Sequence, residues 1–219
     1  MKKNICLSVL SLLLIFTLCF STLACNNQPD LHSFVNNATT NLYYGETEEL
    51  KLKGAYSFSA EKSGKTLYYF SVIILSPHED LVTYSLQFNL SGKNYSLNFS
   101  LSPVSNRLTA KIEIPKTEFS AVELTVQKGS EQKVITITSI LPKNCLDYKS
   151  AVNSLCVSQK KLIENYYENG VFNGKISARI LDNKNEFYWY IGLFNSQNDE
   201  KAFLINAING EVLAIRDVL

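Results

Sequence analysis

Between residues 46 and 140 apolar and polar side chains alternate with a period of two, and this pattern restricts the fold more than any other feature of the chain. Side chains that alternate in this way belong on strands with one face in a core and the other in water. Leu86, Phe88 and Leu90 alternate with Gln87 and Asn89, and Tyr95, Leu97, Phe99 and Leu101 with Ser96, Asn98 and Ser100. Ile112 and Ile114 alternate with Lys111 and Glu113. Seven runs read as strands: 49–60, 67–75, 82–90, 95–101, 107–115, 119–127 and 133–140. Ser63-Gly64-Lys65, Ser91-Gly92-Lys93 and Lys128-Gly129-Ser130 are short Gly-centred connections of the hairpin kind. Twelve Tyr and twelve Phe against a single Met also favour sheet. Short strands with turns at this spacing predict a β-sandwich over residues 46–141.

Leu141-Pro142-Lys143-Asn144 marks a boundary, beyond which the period changes. Val152, Leu155, Cys156, Leu162, Ile163, Tyr166 and Tyr167 recur at three- and four-residue spacings, the signature of a helix with one buried face. Asn169-Gly170 reads as its C-terminal stop. Strands come next at 175–181, 187–194, 201–208 and 211–217, and Asn209-Gly210 between the last two is a strong hairpin signal. A helix followed by an antiparallel meander predicts an α+β layer pair over residues 142–219. The fold class expected is therefore mainly β with an α+β part.

Two resemblances attach to these patterns. The N-terminal strand series resembles immunoglobulin-like modules of surface proteins in architecture, without a Cys–Trp–Cys signature, because the only Trp is Trp189. The C-terminal region resembles a PepSY domain through Phe187-Tyr188-Trp189-Tyr190-Ile191, then Lys201-Ala202-Phe203-Leu204-Ile205-Asn206-Ala207, then Asn209-Gly210-Glu211-Val212-Leu213. Asn206 stands where that family usually has an acid. The resemblance covers residues 145–219 and implies restraint of secreted peptidases or other binding at the cell surface.

Residues 1–24 have the three parts of a secretory signal: Lys2 and Lys3, an apolar run from Ile5 to Phe20, and the small residues that precede Cys25. Three readings of the segment are an uncleaved membrane anchor, ordinary cleavage and a lipoprotein signal. The apolar run is short for a span of about 20 residues. Ser21-Thr22-Leu23-Ala24-Cys25 resembles the bacterial lipobox, which implies acyl chains such as palmitate on Cys25 and an exported protein anchored outside the cytoplasm. Residues 25–45, rich in Asn and Thr, are expected to form a polar tether. Of 21 basic and 20 acidic residues, the signal removes Lys2 and Lys3 and no acid, leaving 19 and 20 and a net charge of −1. That balance argues against a nucleic-acid partner, which requires a clustered basic footprint. The membrane is the expected partner, reached through the lipid.

Chemistry is sparse. His32 falls in the expected tether, and Ser76-Pro77-His78-Glu79-Asp80 reads as a loop in preference to a metal site. No catalytic set, phosphate loop, cofactor fingerprint, metal motif or identifiable small-molecule site is expected. Cys145 and Cys156 are an even pair in an oxidising location, either bridged or buried as thiols. A helix starting at Asp147 would carry Cys156 about 13 Å along its axis, against bridging, whereas a start at Ser150 or Asn153 would allow it. Along the strand 187–194, Tyr188, Tyr190 and Phe194 share the face opposite Trp189 and form the candidate binding surface, the alternative being burial against the N-terminal sandwich. The function expected is non-enzymatic binding, with an envelope or secreted peptidase as partner; the rival is an adhesive module whose sandwich makes the contacts.

Overall fold

The computed structural model describes residues 30–61, 63–76, 82–197 and 199–218, and in them the chain is mainly β. A short 3-10 turn, Leu31–Phe34, leads into β1, Val35–Glu46. This corrects the expected tether: residues 31–34 form a 3-10 turn and 35–46 a strand paired within the sheet. The Asn and Thr content disguises Leu31, Val35, Ala38, Leu42 and Tyr43, all buried, because β1 has a core on each face. Val35, Ala38 and Leu42 belong to one hydrophobic cluster and Tyr43 to the other. A strand whose buried positions change face midway has no period-two signal.

The following strands are β2 (Lys51–Ala60), β3 (Thr66–Ile74), β4 (Tyr84–Leu90), β5 (Lys93–Asn98), β6 (Ser100–Ser102), β7 (Arg107–Ile114), β8 (Ala121–Lys128) and β9 (Glu131–Ser139). They do not divide into the two facing sheets of an immunoglobulin-like sandwich. One path runs β1-β2-β3-β7-β6, and another runs from β1 through β9, β8 and β4 to β5. The run expected as a single strand at 95–101 bends at Phe99, so that β5 pairs with β4 and β6 with β7. The result is a nearly closed, antiparallel, barrel-like sheet of nine strands among the described residues. Inside, Tyr43 stacks on Phe119 at 4.8 Å and meets Phe70 edge-on, and Phe70 meets Phe88 at 5.4 Å. Such offset and edge contacts are the favoured aromatic geometries. Gly54 lies on this inner face, where a Cβ would fall 2.7 Å from Ile137 Cδ1.

The second layer holds α1 (Tyr148–Ser158), α2 (Lys160–Glu164), the small hairpin β10 (Tyr167–Glu168) and β11 (Val171–Phe172), then β12 (Lys175–Asn183), β13 (Glu186–Phe194), β14 (Glu200–Asn206) and β15 (Val212–Val218). Asp147 caps α1 by accepting from Ser150 N at 2.8 Å. The expected long helix breaks at Gln159, and Asn169-Gly170 is the turn of β10–β11, with φ of 51° and 77°. Strands β12 to β15 form an antiparallel meander. Its Ile176, Ala178, Ile180, Trp189, Ile191, Leu193, Phe203 and Ile205 pack with Ala151, Val152 and Leu155 of α1. Trp189 Nε1 donates to Leu146 O at 2.9 Å, so the only indole donor is satisfied.

The two parts share one strand. The first half of β1 runs parallel to β12, with Ala38 opposite Ala178 and Thr39 opposite Arg179. A bulge at Thr40 follows, and the second half pairs with β9 at Tyr43 and Tyr44. Strand β1 is a branch point from which barrel and meander diverge.

Candidate binding groove

On β13, Trp189, Ile191 and Leu193 are buried beneath α1, whereas Tyr188, Tyr190 and Phe194 point to the opposite face and are only half-buried. Strand register extends this second face across the meander. Leu181 lies opposite Tyr188, Arg179 and Leu204 flank Tyr190, and Ala214 lies opposite Leu204. A register shift between Leu204 and Ile205 marks a bulge in the β14–β15 pairing, and Leu213 of the bulged strand joins the same lining. Leu181 is 39% exposed and Leu213 45%, values high enough to leave an apolar surface in contact with water.

Where β12 diverges from β1, this face continues onto the outside of the barrel. The result is a groove of about 650 Å³. Leu42, Ala55, Ser71 and Ile73 line its barrel side; Leu181, Tyr188, Leu204 and Leu213 line its meander side. The bulge at Thr40 reverses the side-chain alternation of β1 and so aims Leu42 at the groove while Tyr43 points into the barrel. Lys53 and Asp182 pair across the divide and are the charged groups of the lining. Apolar walls with a few fixed polar groups are the general make-up of a binding concavity.

The aromatics are tied at their hydroxyl ends. Tyr190 Oη donates to Glu200 Oε1 at 2.7 Å, and the Arg179 guanidinium lies 5.7 Å from the Tyr190 ring centre. Tyr188 Oη donates to Glu186. Burial, then the Glu200 carboxylate, raises the Tyr190 phenol above its ordinary range, and the Glu186 carboxylate does the same for Tyr188. Both remain neutral donors at physiological pH. Of the three residues expected as a surface, Tyr188 lines the groove, Tyr190 lies beside it, and Phe194 lies at the far end of the strand against Gly192. Alternation could have identified Leu181 and Leu204 as the non-core partners of Ile180 and Phe203. Nothing local identifies Leu42 or Lys53, which depend on the branch in β1.

A second concavity, of about 510 Å³, opens at the same bulge on the barrel side and is lined by Asn41, Tyr43, Tyr56, Phe119 and Ser139 among others. Asn41, Tyr43 and Ser139 are hydrogen-bonded to one another within it. Asn41 Nδ2 donates to Tyr43 Oη at 3.0 Å, Tyr43 Oη donates to Phe119 O at 2.9 Å, and Ser139 Oγ donates to Asn41 Oδ1 at 2.7 Å. Such a closed network holds the branch in place and offers no activated group.

Cys145 and Cys156 are both half-buried and carry thiols in this structure. The cap at Asp147 is the helix start that disfavours a bridge, because it sets Cys156 well along α1 from Cys145. Burial raises the Cys145 thiol, which opposes a nucleophilic role. Cys25 and the segment Pro77–Leu81, with His78, Glu79 and Asp80, lie outside the described residues. Among the described residues no group of three or more His, Cys, Asp or Glu converges as a metal site, and no helix is long and apolar enough to cross a membrane. No family model, curated protein or solved structure matches this chain.

Proposed function

We propose that the chain is an exported cell-envelope lipoprotein, anchored through Cys25, whose role is non-enzymatic binding of a polypeptide in the groove between barrel and meander. The observation that carries the binding role is the half-exposed apolar face of Leu181, Tyr188, Leu204 and Leu213, which continues onto Leu42 and Ile73 of the barrel. Apolar surface left facing water costs solubility, so a contiguous face of this kind is a contact surface. The helix-and-meander order of residues 142–219 and the Phe187–Leu213 motifs support a PepSY-like reading of that part, and with it an envelope or secreted peptidase as the partner. The signal-like start and Ser21-Thr22-Leu23-Ala24-Cys25 support the anchor.

The test is to mix the processed chain with secreted metallopeptidases of the same cell and to follow peptidase activity and complex formation. A complex lost on Leu213→Asp and Tyr188→Ala supports the reading; unchanged peptidase activity and no complex remove the peptidase partner. The adhesive alternative rests on a different surface, the polar row Gln87, Asn89, Asn94, Ser96, Glu123 and Thr125 on the outer face of β4, β5 and β8. In that case the groove substitutions leave attachment intact, while charge introduced at Ser96 and Thr125 abolishes it.

A further inference from the structure

We infer that the C-terminal end of α1, together with α2 and the β10–β11 hairpin, rests on the phospholipid surface to which the chain is anchored. The inference depends on the lipid anchor at Cys25 and adds the orientation of the fold. Had residues 25–45 been a tether, the reach from the lipid would be roughly 70 Å at about 3.5 Å per residue. Among the described residues the first element instead begins at Leu31, which is 4% exposed and packed with Ala151, Val152 and Leu155 of α1. Only residues 26–30 separate it from Cys25, a reach of roughly 20 Å at full extension. Whatever surrounds Leu31 is therefore held close to the bilayer.

Those surroundings have the chemistry of a lipid contact. Phe34 of the 3-10 turn packs on Phe172 at 4.9 Å, which places the β10–β11 hairpin beside the start of the fold. Next to Phe172, Val171 is 64% exposed, and Val157 near the end of α1 is 84% exposed. On α1, Lys149, Asn153 and Val157 follow one another at four-residue intervals on the outward side, and exposed Lys160 and Lys161 continue from its end. Asp147 caps the far end of α1, Glu164 and Glu168 follow Lys161, and Lys201, Asp199 and Asp217 face Tyr166 from the meander. Asn173 Nδ2 donates to the Glu168 carboxylate at 3.0 Å. Exposed aliphatics beside lysines match an interface of acyl chains beneath phosphates. Lys51 and Lys133, paired with Glu46 and Glu49 at the opposite end of β1, serve as controls.

Lysine acetylation followed by peptide mass spectrometry tests this on the lipidated chain in phosphatidylglycerol vesicles, with the Cys25→Ser chain in the same suspension as reference. Lys160 and Lys161 should react about fivefold more slowly in the anchored chain, the change expected for a cation held at a phosphate surface. Lys51 and Lys133 should be unaffected. Replacing Val157 and Val171 by Asp, both exposed and outside the core, should remove the protection while leaving the lipid in place. Equal rates at all four lysines, or protection of Lys51 and Lys133 instead, overturn the orientation. The mass of the Cys25 peptide separates the two levels: without lipid the anchor reading fails and the orientation with it, whereas lipid without protection removes the orientation alone.

Discussion

Tyr43 occupies the position at which β1 exchanges one partner for another, and its hydroxyl links Asn41 on one side to Phe119 O on the other. Tyr43→Phe keeps the ring stacked on Phe119 but leaves a part-buried carbonyl and a part-buried amide short of a partner. The expected cost is about 1–2 kcal/mol, read as a lower urea midpoint at unchanged slope. The same residue gives a pH dependence. Burial, the largest cause, holds its phenol well above the ordinary value of 10.0. Above that pH the unfolded chain loses the proton while the folded chain keeps it, so stability is complete below pH 10 and falls as pH rises further. Tyr43→Phe should reduce that alkaline slope without abolishing it, because burial also raises Tyr56. The Cys145 and Cys156 thiols give a third outcome: a reductant should leave the urea midpoint where it is. A downward shift would reveal a bridge.

At the scale of elements, two turns with the same dipeptide differ in their surroundings. Gly170 and Gly210 have φ of 77° and 76°, a region that disfavours any side chain. A Cβ on Gly170 meets nothing within 4 Å, whereas one on Gly210 would fall 2.5 Å from Ser154 Oγ of α1. Gly170→Ala should therefore cost about 1 kcal/mol of backbone strain. Gly210→Ala should cost about 1–3 kcal/mol more, because it also pushes the β14–β15 turn off the helix. Thermal melts of the two variants compare them directly. The pair also shows how far sequence reasoning reaches. Alternation places every strand of the meander to within two residues at each end, because each has one core face and one open face. Asn-Gly reports a positive-φ turn wherever it occurs, but whether that turn ends a helix or joins two strands depends on its flanking segments. Residues 167–172 are too few to show a period.

At the scale of the molecule, β1 decides whether barrel and meander are one cooperative unit or two. Local patterns do not reveal it, because the strand serves two cores on opposite faces and is bordered by a parallel neighbour about 140 residues away, a separation that leaves no local trace. The same strand makes the two parts interdependent. Unfolding the meander would strip β12 from β1 and expose Val35, Ala38 and Leu42, while unfolding the barrel would remove β2 from the other edge of the same strand and β9 from its second half. Neither loss is confined to one part, so a single transition is expected. Two probes separate the possibilities. Trp189, the only tryptophan, is 1% exposed and lies in the meander core, so its fluorescence reports that half. Amide hydrogen exchange of peptides from β3, β4 and β8, followed through the same urea series, reports the barrel. Coincident urea curves from the two would establish one cooperative unit hinged on β1. Curves that separate would mean the branch transmits little free energy, and that the groove between the two parts can open without either core unfolding.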